Sequence, residues 1–364
     1  MNTETSTRLV IVGGGYVGWE VAHALDTHAD VTLIEPREAF VHVPAMIRAL
    51  LQPELLERAI LPYDRLLTRG RVLRARVASV EADGVTLTSG ERLYADYIVV
   101  ATGSCYAAPF KPQDDTVESL RAASRTTREK LLSAQHIAIV GAGAVGVELA
   151  GEISHALPDK KVTLISSESR LFPLYPEKLG AQLLQKLSAQ GVEVIFNQRV
   201  NNLVTTSEAY SGQLALADGL SMKADLIFPV VGARGDSSLL KKLPDAMEGT
   251  LGRVKTDHWM RPSSYPNVFA AGDVAEMGDG MTIVATTRQI PWLVKTLKHL
   301  LVGRKLTQIK PYKPWNLAPI LVPLGPNIGN CYLPFGVVGD FVTSRFKGRE
   351  LFIPKYRKAF RRHW

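Results

Sequence analysis

Two sets of three glycines, and the acids that follow them, carry most of the chemistry legible in this sequence. Gly13, Gly15 and Gly18 form one G-x-G-x-x-G, and Gly141, Gly143 and Gly146 form another. At such a turn the first glycine closes a tight bend, the second lets backbone approach a pyrophosphate, and the third lets helix and strand pack closely. The phosphates then rest on a helix N-terminus, where unpaired N–H groups and the helix dipole favour negative charge. Two dinucleotides are therefore expected. Glu35, 22 residues after Gly13, stands where a carboxylate accepts hydrogen bonds from adenosine ribose hydroxyls. The second copy has Ser166 in that place, with Ser167 and Glu168 after it. Lacking a carboxylate there, the second site does not repel a 2′-phosphate, and Arg170 is a candidate to meet one. NADH and NADPH both fit.

The elements that must hold these residues come as a repeat. Arg8-Leu-Val-Ile-Val-Gly-Gly-Gly-Tyr-Val-Gly-Trp-Glu-Val-Ala and His136-Ile-Ala-Ile-Val-Gly-Ala-Gly-Ala-Val-Gly-Val-Glu-Leu-Ala lie 128 residues apart. Each reads as a buried strand, a glycine turn and a helix start. A second strand follows each, Val31–Glu35 in one and Val162–Ser166 in the other, which completes two βαβ units. Two further strands end in turn signals: Tyr97–Gly103 in Ala-Thr-Gly, and Asn267–Asp273 in Gly-Asp. Asp273 at its strand end can accept from the ribityl hydroxyls of a flavin, or it can cap a helix.

Composition narrows the class. With 364 residues, two domains or slightly more are expected, and a hydrophobic fraction of 46% with 21% charged residues is that of packed globular domains. No apolar run approaches the ~20 residues needed to cross a bilayer. The longest candidate, 315–325, is broken by Pro319 and Pro323. Cys105 and Cys331 are too few and too far apart for a disulfide framework or a cysteine zinc site, so no metal is expected and a reducing compartment fits. The net charge of +8 is local. Residues 345–364 hold eight Lys/Arg against one acid, and the rest of the chain holds 35 basic against 34 acidic groups. That distribution argues against nucleic-acid binding. Residues 1–7 show no signal or transit peptide, and Asn2 excludes N-myristoylation, so a cytoplasmic protein is expected.

The order G-x-G-x-x-G, Glu, A-T-G, G-x-G-x-x-G, G-D over about residues 8–275 resembles the two-dinucleotide-binding-domain flavoproteins. The resemblance implies an α/β fold of two Rossmann-like domains, one for FAD and one for NAD(P)H, plus a small C-terminal region. The FAD domain would be discontinuous, 1–128 and 252–305, with the NAD(P)H domain inserted at 129–251 and the C-terminal region at 306–364. The redox cysteine pair of the disulfide reductases in that family is absent from this sequence. Closer likeness is to the apoptosis-inducing-factor-like quinone reductases of the ferroptosis suppressor protein kind, themselves similar to type II NADH dehydrogenases. It is carried by 35–42 (EPREAFVH), 146–152 (GVELAGE), 311–314 (PYKP) and 346–352 (FKGRELF).

Transfer from NAD(P)H to FAD and then to a quinone of the ubiquinone or vitamin K type, at a membrane surface, is what that likeness implies. It places His42 beside the flavin, Glu152 near isoalloxazine and nicotinamide, and Lys347 and Phe352 in a C-terminal segment reaching the active site. Gly13, Gly15, Gly18, Glu35, Arg37, Val77, Thr102, Gly103, Gly272 and Asp273 are then the FAD residues. Gly141, Gly143, Gly146, Glu148, Ser166 and Gly232 are those of NAD(P)H, with Glu148 supporting the cofactor or the helix terminus. Two departures stand out. Arg288 occupies a place where these relatives often have His or another polar residue, and Pro291 is expected to interrupt the following helix or lie near its start. An NAD(P)H:ferredoxin or rubredoxin reductase shares both nucleotide sites, and an NAD(P)H-bound redox sensor is the alternative from another class.

The tail suggests a membrane contact. From Pro354, residues Tyr356, Phe360 and Trp364 recur every fourth position and fall on one helical face, with Arg357, Lys358, Arg361 and Arg362 opposite. Such a helix over 354–364 can lay its aromatics into an anionic headgroup region, or dock them on the protein's own core. Oligomeric state is open.

Overall fold

The computed structural model describes residues 6–361. Continuous apolar runs such as Leu9–Val12 and Ile137–Val140 suit strands buried on both faces, and they form the centres of two mostly parallel sheets. In the first sheet the strands run in the order Val268–Ala270, Tyr97–Val100, Arg8–Val12, Asp30–Ile34 and Arg71–Leu73, all parallel. In the second the order is Val192–Ile195, Lys161–Ile165, His136–Val140 and Ser221–Pro229, closed by the antiparallel Tyr210–Ala215.

The sequence repeat is a structural repeat down to single hydrogen bonds. Arg8 pairs with Asp30 and His136 with Lys161. The Gly13 N–H donates to the Ile34 carbonyl at 2.8 Å, and the Gly141 N–H donates to the Ile165 carbonyl at 2.9 Å. Each glycine turn thus leaves the middle strand of its sheet at the same height. Helices Tyr16–Leu25 and Ala144–Ala156 follow. Ser104–Cys105 pairs antiparallel with Arg234–Gly235 where the chain passes between the two sheets.

Helix Ile283–Leu301 packs beside the first sheet's helix and runs unbroken through Pro291, which corrects the expected interruption. Proline removes the N–H that would meet the Thr287 carbonyl. Both Pro291 and Thr287 are exposed, so water can satisfy that carbonyl.

Beyond residue 305 the chain forms an antiparallel sheet, Ile320–Pro323, Gly329–Leu333 and Gly336–Val338, and then a helical run, Asp340–Thr343 and Ser344–Gly348. Leu351 and Phe352 both have left-handed backbone, φ 50° and 60°, and turn the chain into helix Ile353–Ala359. That helix does not offer its aromatic face outward. Tyr356 and Phe360 are buried among Tyr16, Trp19, Phe40 and Tyr63, with Phe360 stacked on Phe40 at 5.4 Å and 5.0 Å from Trp19. Tyr356 and Phe360, two of the expected lipid-facing aromatics, are therefore core residues, because the apolar flank of the first domain's helix and strand removes them from water more completely than a headgroup layer does. Arg362 and Trp364, the remainder of that tail reading, lie outside the described residues.

Phe360 is a test of this docking. Phe360→Ala should cost about 3–5 kcal/mol of unfolding free energy in urea denaturation. A loss within about 0.5 kcal/mol, the size of an ordinary surface change, would show that the tail helix does not dock there.

Candidate functional site

Both glycine turns open into one cavity of about 890 Å³. Gly13 and Gly141 carry positive φ, 99° and 113°, and a side chain on Gly13 would meet the Ala101 carbonyl oxygen at 2.5 Å. Side chains on Gly18 and Gly146 would collide with the carbonyls of Gly13 and Gly141. Gly15 and Gly143 differ: a Cβ there meets nothing within 4 Å, and both residues line the cavity at a helix start. That open face, which any side chain would fill, is what a pyrophosphate on a helix N-terminus requires. The residues present fit two dinucleotides.

Glu35 ends its strand 2% exposed at the cavity wall. Its carboxylate accepts from the Gly14 N–H at 2.6 Å and the Arg37 N–H at 2.9 Å, and the Arg37 guanidinium lies 3.5 Å away. Tyr63 donates to the Gly14 carbonyl at 2.8 Å, bracing the same turn. At the corresponding point of the second sheet, Ser166 Oγ accepts from the Glu168 N–H at 3.1 Å. Arg170 lines the cavity nearby, its guanidinium held by the carbonyls of Pro173 and Tyr175.

Thr102, Gly103, Gly272 and Asp273 line the first side of the cavity, and Gly232 the second. Asp273 accepts from Ser104 Oγ at 2.5 Å, with Lys111 Nζ at 3.5 Å. The turn before it is fixed from behind. Gly272 N–H donates to Gln289 Oε1 at 2.8 Å, and Gln289 Nε2 donates to the buried Asp279 at 3.1 Å. Tyr312 and the Trp315 backbone N–H also donate to Asp279. Val77, an expected FAD residue, is not in the cavity wall but in the core packed between the first sheet and its flanking hairpin.

Of the two acids of helix Ala144–Ala156, one lines the cavity and the other, Glu152, does not stand where it is expected. Glu148 lines the cavity, where Lys347 Nζ from the C-terminal run donates to its Oε1 at 2.5 Å and to the Leu321 carbonyl at 3.1 Å. Burial raises the Glu148 carboxyl above the usual carboxylate value, and the Lys347 ammonium pulls it back. Glu152 is buried outside the cavity wall and bound by Arg48, whose Nε donates at 2.9 and 3.0 Å and Nη2 at 2.5 Å. Arg48 Nη1 also donates to the Gly348 carbonyl at 2.5 Å. The four-residue spacing does put both acids on one helix face, but four residues are about 6 Å of rise, enough to carry Glu152 one turn below the cavity floor.

His42, which the resemblance sets beside the flavin, stands behind the cavity wall. It is 1% exposed and does not line the cavity. Nε2 lies 2.5 Å from the Leu351 carbonyl, which can only accept, so Nε2 carries the proton and Nδ1 accepts from the Tyr16 hydroxyl at 2.9 Å. Burial pushes the imidazole down to about 4. A neutral ring with both nitrogens engaged supplies no proton to a substrate; it orients Tyr16, which does line the cavity. Phe352 reaches the cavity as expected, as do Met281, Ile283 and Thr286, whereas Arg288 turns away and lies 4.8 Å over the Trp315 ring.

Arg48, Tyr16, Tyr63, Lys111 and Gln289 escaped the sequence reading. Arg48 is one of 43 Lys/Arg in the sequence, and nothing local distinguishes a buried one.

Two glycine-turn nucleotide sites facing one cavity across two parallel sheets define a flavin- and nicotinamide-dependent oxidoreductase of the two-Rossmann-domain class. The chain belongs to the Pyridine nucleotide-disulphide oxidoreductase family, whose profile matches residues 2–103 and 64–291. FAD and NAD(P)H are the cofactors. The chain is 30% identical over 380 residues to apoptosis-inducing factor homolog B of Dictyostelium discoideum, across 97% of each protein. It is 27% identical over 371 residues to ferroptosis suppressor protein 1 of Xenopus tropicalis, across 98% of this chain and 96% of the relative. The structure of NDH2 from Plasmodium falciparum in complex with NADH shares the fold, with a TM-score of 0.73 at 14% identity over 98% of this chain and 97% of that one.

The neutral His42 gives a pH test. Unfolded, it takes a proton as pH falls below about 6.5; folded, it resists until about 4. Its contribution to stability is complete above 6.5 and is lost as pH falls toward 4, by about 3 kcal/mol. Urea unfolding of the wild type and His42→Gln should show the wild type's advantage shrinking by roughly that amount across this window. A constant difference would mean that His42 titrates in the folded chain near its ordinary value.

Proposed function

We propose that this protein is an NAD(P)H:quinone oxidoreductase acting at a membrane surface, with an acceptor of the ubiquinone or vitamin K type. The observation that carries this reading is the Lys347–Glu148 pair, 2.5 Å apart in the wall of a cavity that both nucleotide turns enter. Around it the wall is apolar, with Ile283, Val284, Pro319, Ile320, Leu321 and Phe352. Such a lining suits a quinone ring with a lipid tail. Disulfide reduction has less support: Cys105 is exposed, Cys331 is buried in the C-terminal hairpin, and neither lines the cavity.

FAD, when bound, supplies the two-electron relay between nicotinamide and quinone. The chain's own residues bind, orient and manage protons. Gly15 and Gly143 present helix N-termini to the two pyrophosphates, Glu35 takes the adenosine ribose of FAD, and Asp273 is held by Ser104 and Lys111 for the ribityl chain. The Ser166 end of the second site accepts NADH or NADPH. Lys347 Nζ holds protons at the apolar end, where it can meet the oxygen that gains charge as a quinone is reduced. Glu148 fixes that ammonium in place.

Steady-state NAD(P)H oxidation by the FAD-loaded protein with a short-chain ubiquinone, against oxygen alone, tests the acceptor. Quinone-dependent turnover well above the oxygen rate is expected. Rapid flavin reduction without quinone turnover would move the acceptor to a protein partner such as a ferredoxin. Lys347→Met should lower quinone turnover by about 10²-fold with FAD content unchanged, and unchanged turnover would remove Lys347 from the chemistry.

A further inference from the structure

Burial of Tyr356 and Phe360 leaves open which surface meets lipid. Among the described residues the exposed phenylalanines are Phe335, Phe341 and Phe346, at 79%, 83% and 63%. All three fall within positions 335–346 of a sequence that holds 11 phenylalanines. Phe341 and Phe346 share the helical run Asp340–Thr343 and Ser344–Gly348, and Phe335 tips the hairpin against which that run is fixed by the Asp340–Gly329 hydrogen bond. Isolated exposed apolar residues are ordinary, but aromatic side chains gathered on one short element mark a contact surface.

The charges around them indicate the occupant. Arg345 lies between the two phenylalanines and Arg349 follows one turn on; both are exposed, and neither enters an ion pair among the described residues. The neighbouring acids are Asp340, which Lys186 holds at 2.7 Å, and Glu350. Here the basic segment of an otherwise nearly neutral chain begins. We propose that Phe341 and Phe346, with Arg345 and Arg349, form the surface by which the protein docks on an anionic lipid bilayer. Aromatics enter the acyl boundary while guanidinium groups meet the headgroups. A second copy of the chain fits less well, because a two-fold contact through this patch would bring the arginines of both copies together.

Lys347 links the patch to the cavity. It sits directly after Phe346 and turns inward onto Glu148, so one helical run shows phenylalanine to the outside and an ammonium to the cavity. An acceptor leaving a bilayer at this point would arrive beside the cavity wall. The purpose of the surface rests on the quinone reading, but binding to lipid can be measured without it.

Flotation of the FAD-loaded full chain with vesicles of phosphatidylcholine, alone or mixed with phosphatidylglycerol, reads the docking. The wild type should float with the anionic vesicles. Phe341→Ser/Phe346→Ser should weaken binding by about tenfold or more, and Arg345→Gln/Arg349→Gln should abolish the preference for anionic vesicles at about fivefold per arginine. Both variants should oxidise NADH with a water-soluble quinone at the wild-type rate, showing that they fold. Failure of the wild type to float overturns the proposal, as does undiminished flotation of the double phenylalanine variant. A wild-type dimer that this variant dissociates, with no vesicle binding, overturns it in favour of self-association. Loss of quinone turnover in a wild type that still floats would sink the acceptor reading and leave the docking surface standing.

Discussion

Three parts of the chain meet at one buried set of charges, and the shape of the cavity depends on it. Arg48 comes from the short helix Pro44–Ala49 beside the first sheet, Glu148 and Glu152 from the glycine-turn helix of the second, and Lys347 from the C-terminal run. Arg48 binds Glu152 and the Gly348 carbonyl, and Lys347 binds Glu148 and the Leu321 carbonyl. Arg48, Glu148 and Glu152 are each no more than 5% exposed. A buried ion pair adds little net stability over a well-packed apolar substitute, but removing one partner strands the other at a cost of about 3–5 kcal/mol. Such a set therefore acts chiefly on arrangement: each cation has one satisfactory place, and that place joins two sheets and the C-terminal region.

Legibility in the sequence followed from whether a constraint acts on backbone or on depth. The glycine turns, both parallel sheets and Glu35 were readable because each depends on local steric facts: a positive φ at Gly13, a carbonyl too close for any Cβ at Gly18, a strand end reached at a fixed count of residues. Glu148 and Glu152 were not separable that way. Periodicity gives the angle of a side chain about a helix, and both acids share it; what differs is height along the axis relative to a wall built by residues 320–347. The tail failed for a related reason. Its amphipathic pattern was real, but an apolar face does not say whether it meets lipid or protein, and here it meets Trp19 and Phe40. The partners of His42 are equally beyond local pattern, since a carbonyl on one nitrogen and a phenol on the other are supplied by positions 351 and 16.

Polar groups held from behind are a second theme that pattern alone does not show. Asp279 is buried and receives three donors: Gln289, Tyr312 and the Trp315 backbone N–H. Gln289 in turn accepts from the Gly272 N–H. These three side chains and two backbone N–H groups span residues 272–315, and their effect is to hold a turn whose next residue, Asp273, faces the cavity. Burying such a network is costly unless every member is satisfied, and this one is satisfied through contacts that close only after the helix Ile283–Leu301 packs. The Gly-Asp turn is therefore legible as a motif, whereas its rigidity is a tertiary property.

These two kinds of construction divide the work of the cavity. Nucleotide binding rests on backbone turns and strand ends, which tolerate wide sequence change, so a fold match at 14% identity still spans nearly the whole of both chains. The apolar end of the cavity rests on side chains from the C-terminal region: Lys347, Phe352 and the hairpin residues Ile320 and Leu321. Phe352 reaches the wall because Leu351 and Phe352 both adopt left-handed backbone, a conformation costing on the order of 1–3 kcal/mol per residue that the surrounding packing must hold in place. Leu351 is held by burial and by the bond from His42 to its carbonyl. The neutral histidine thus serves the apolar end of the cavity, as the group that fixes the backbone from which Phe352 projects.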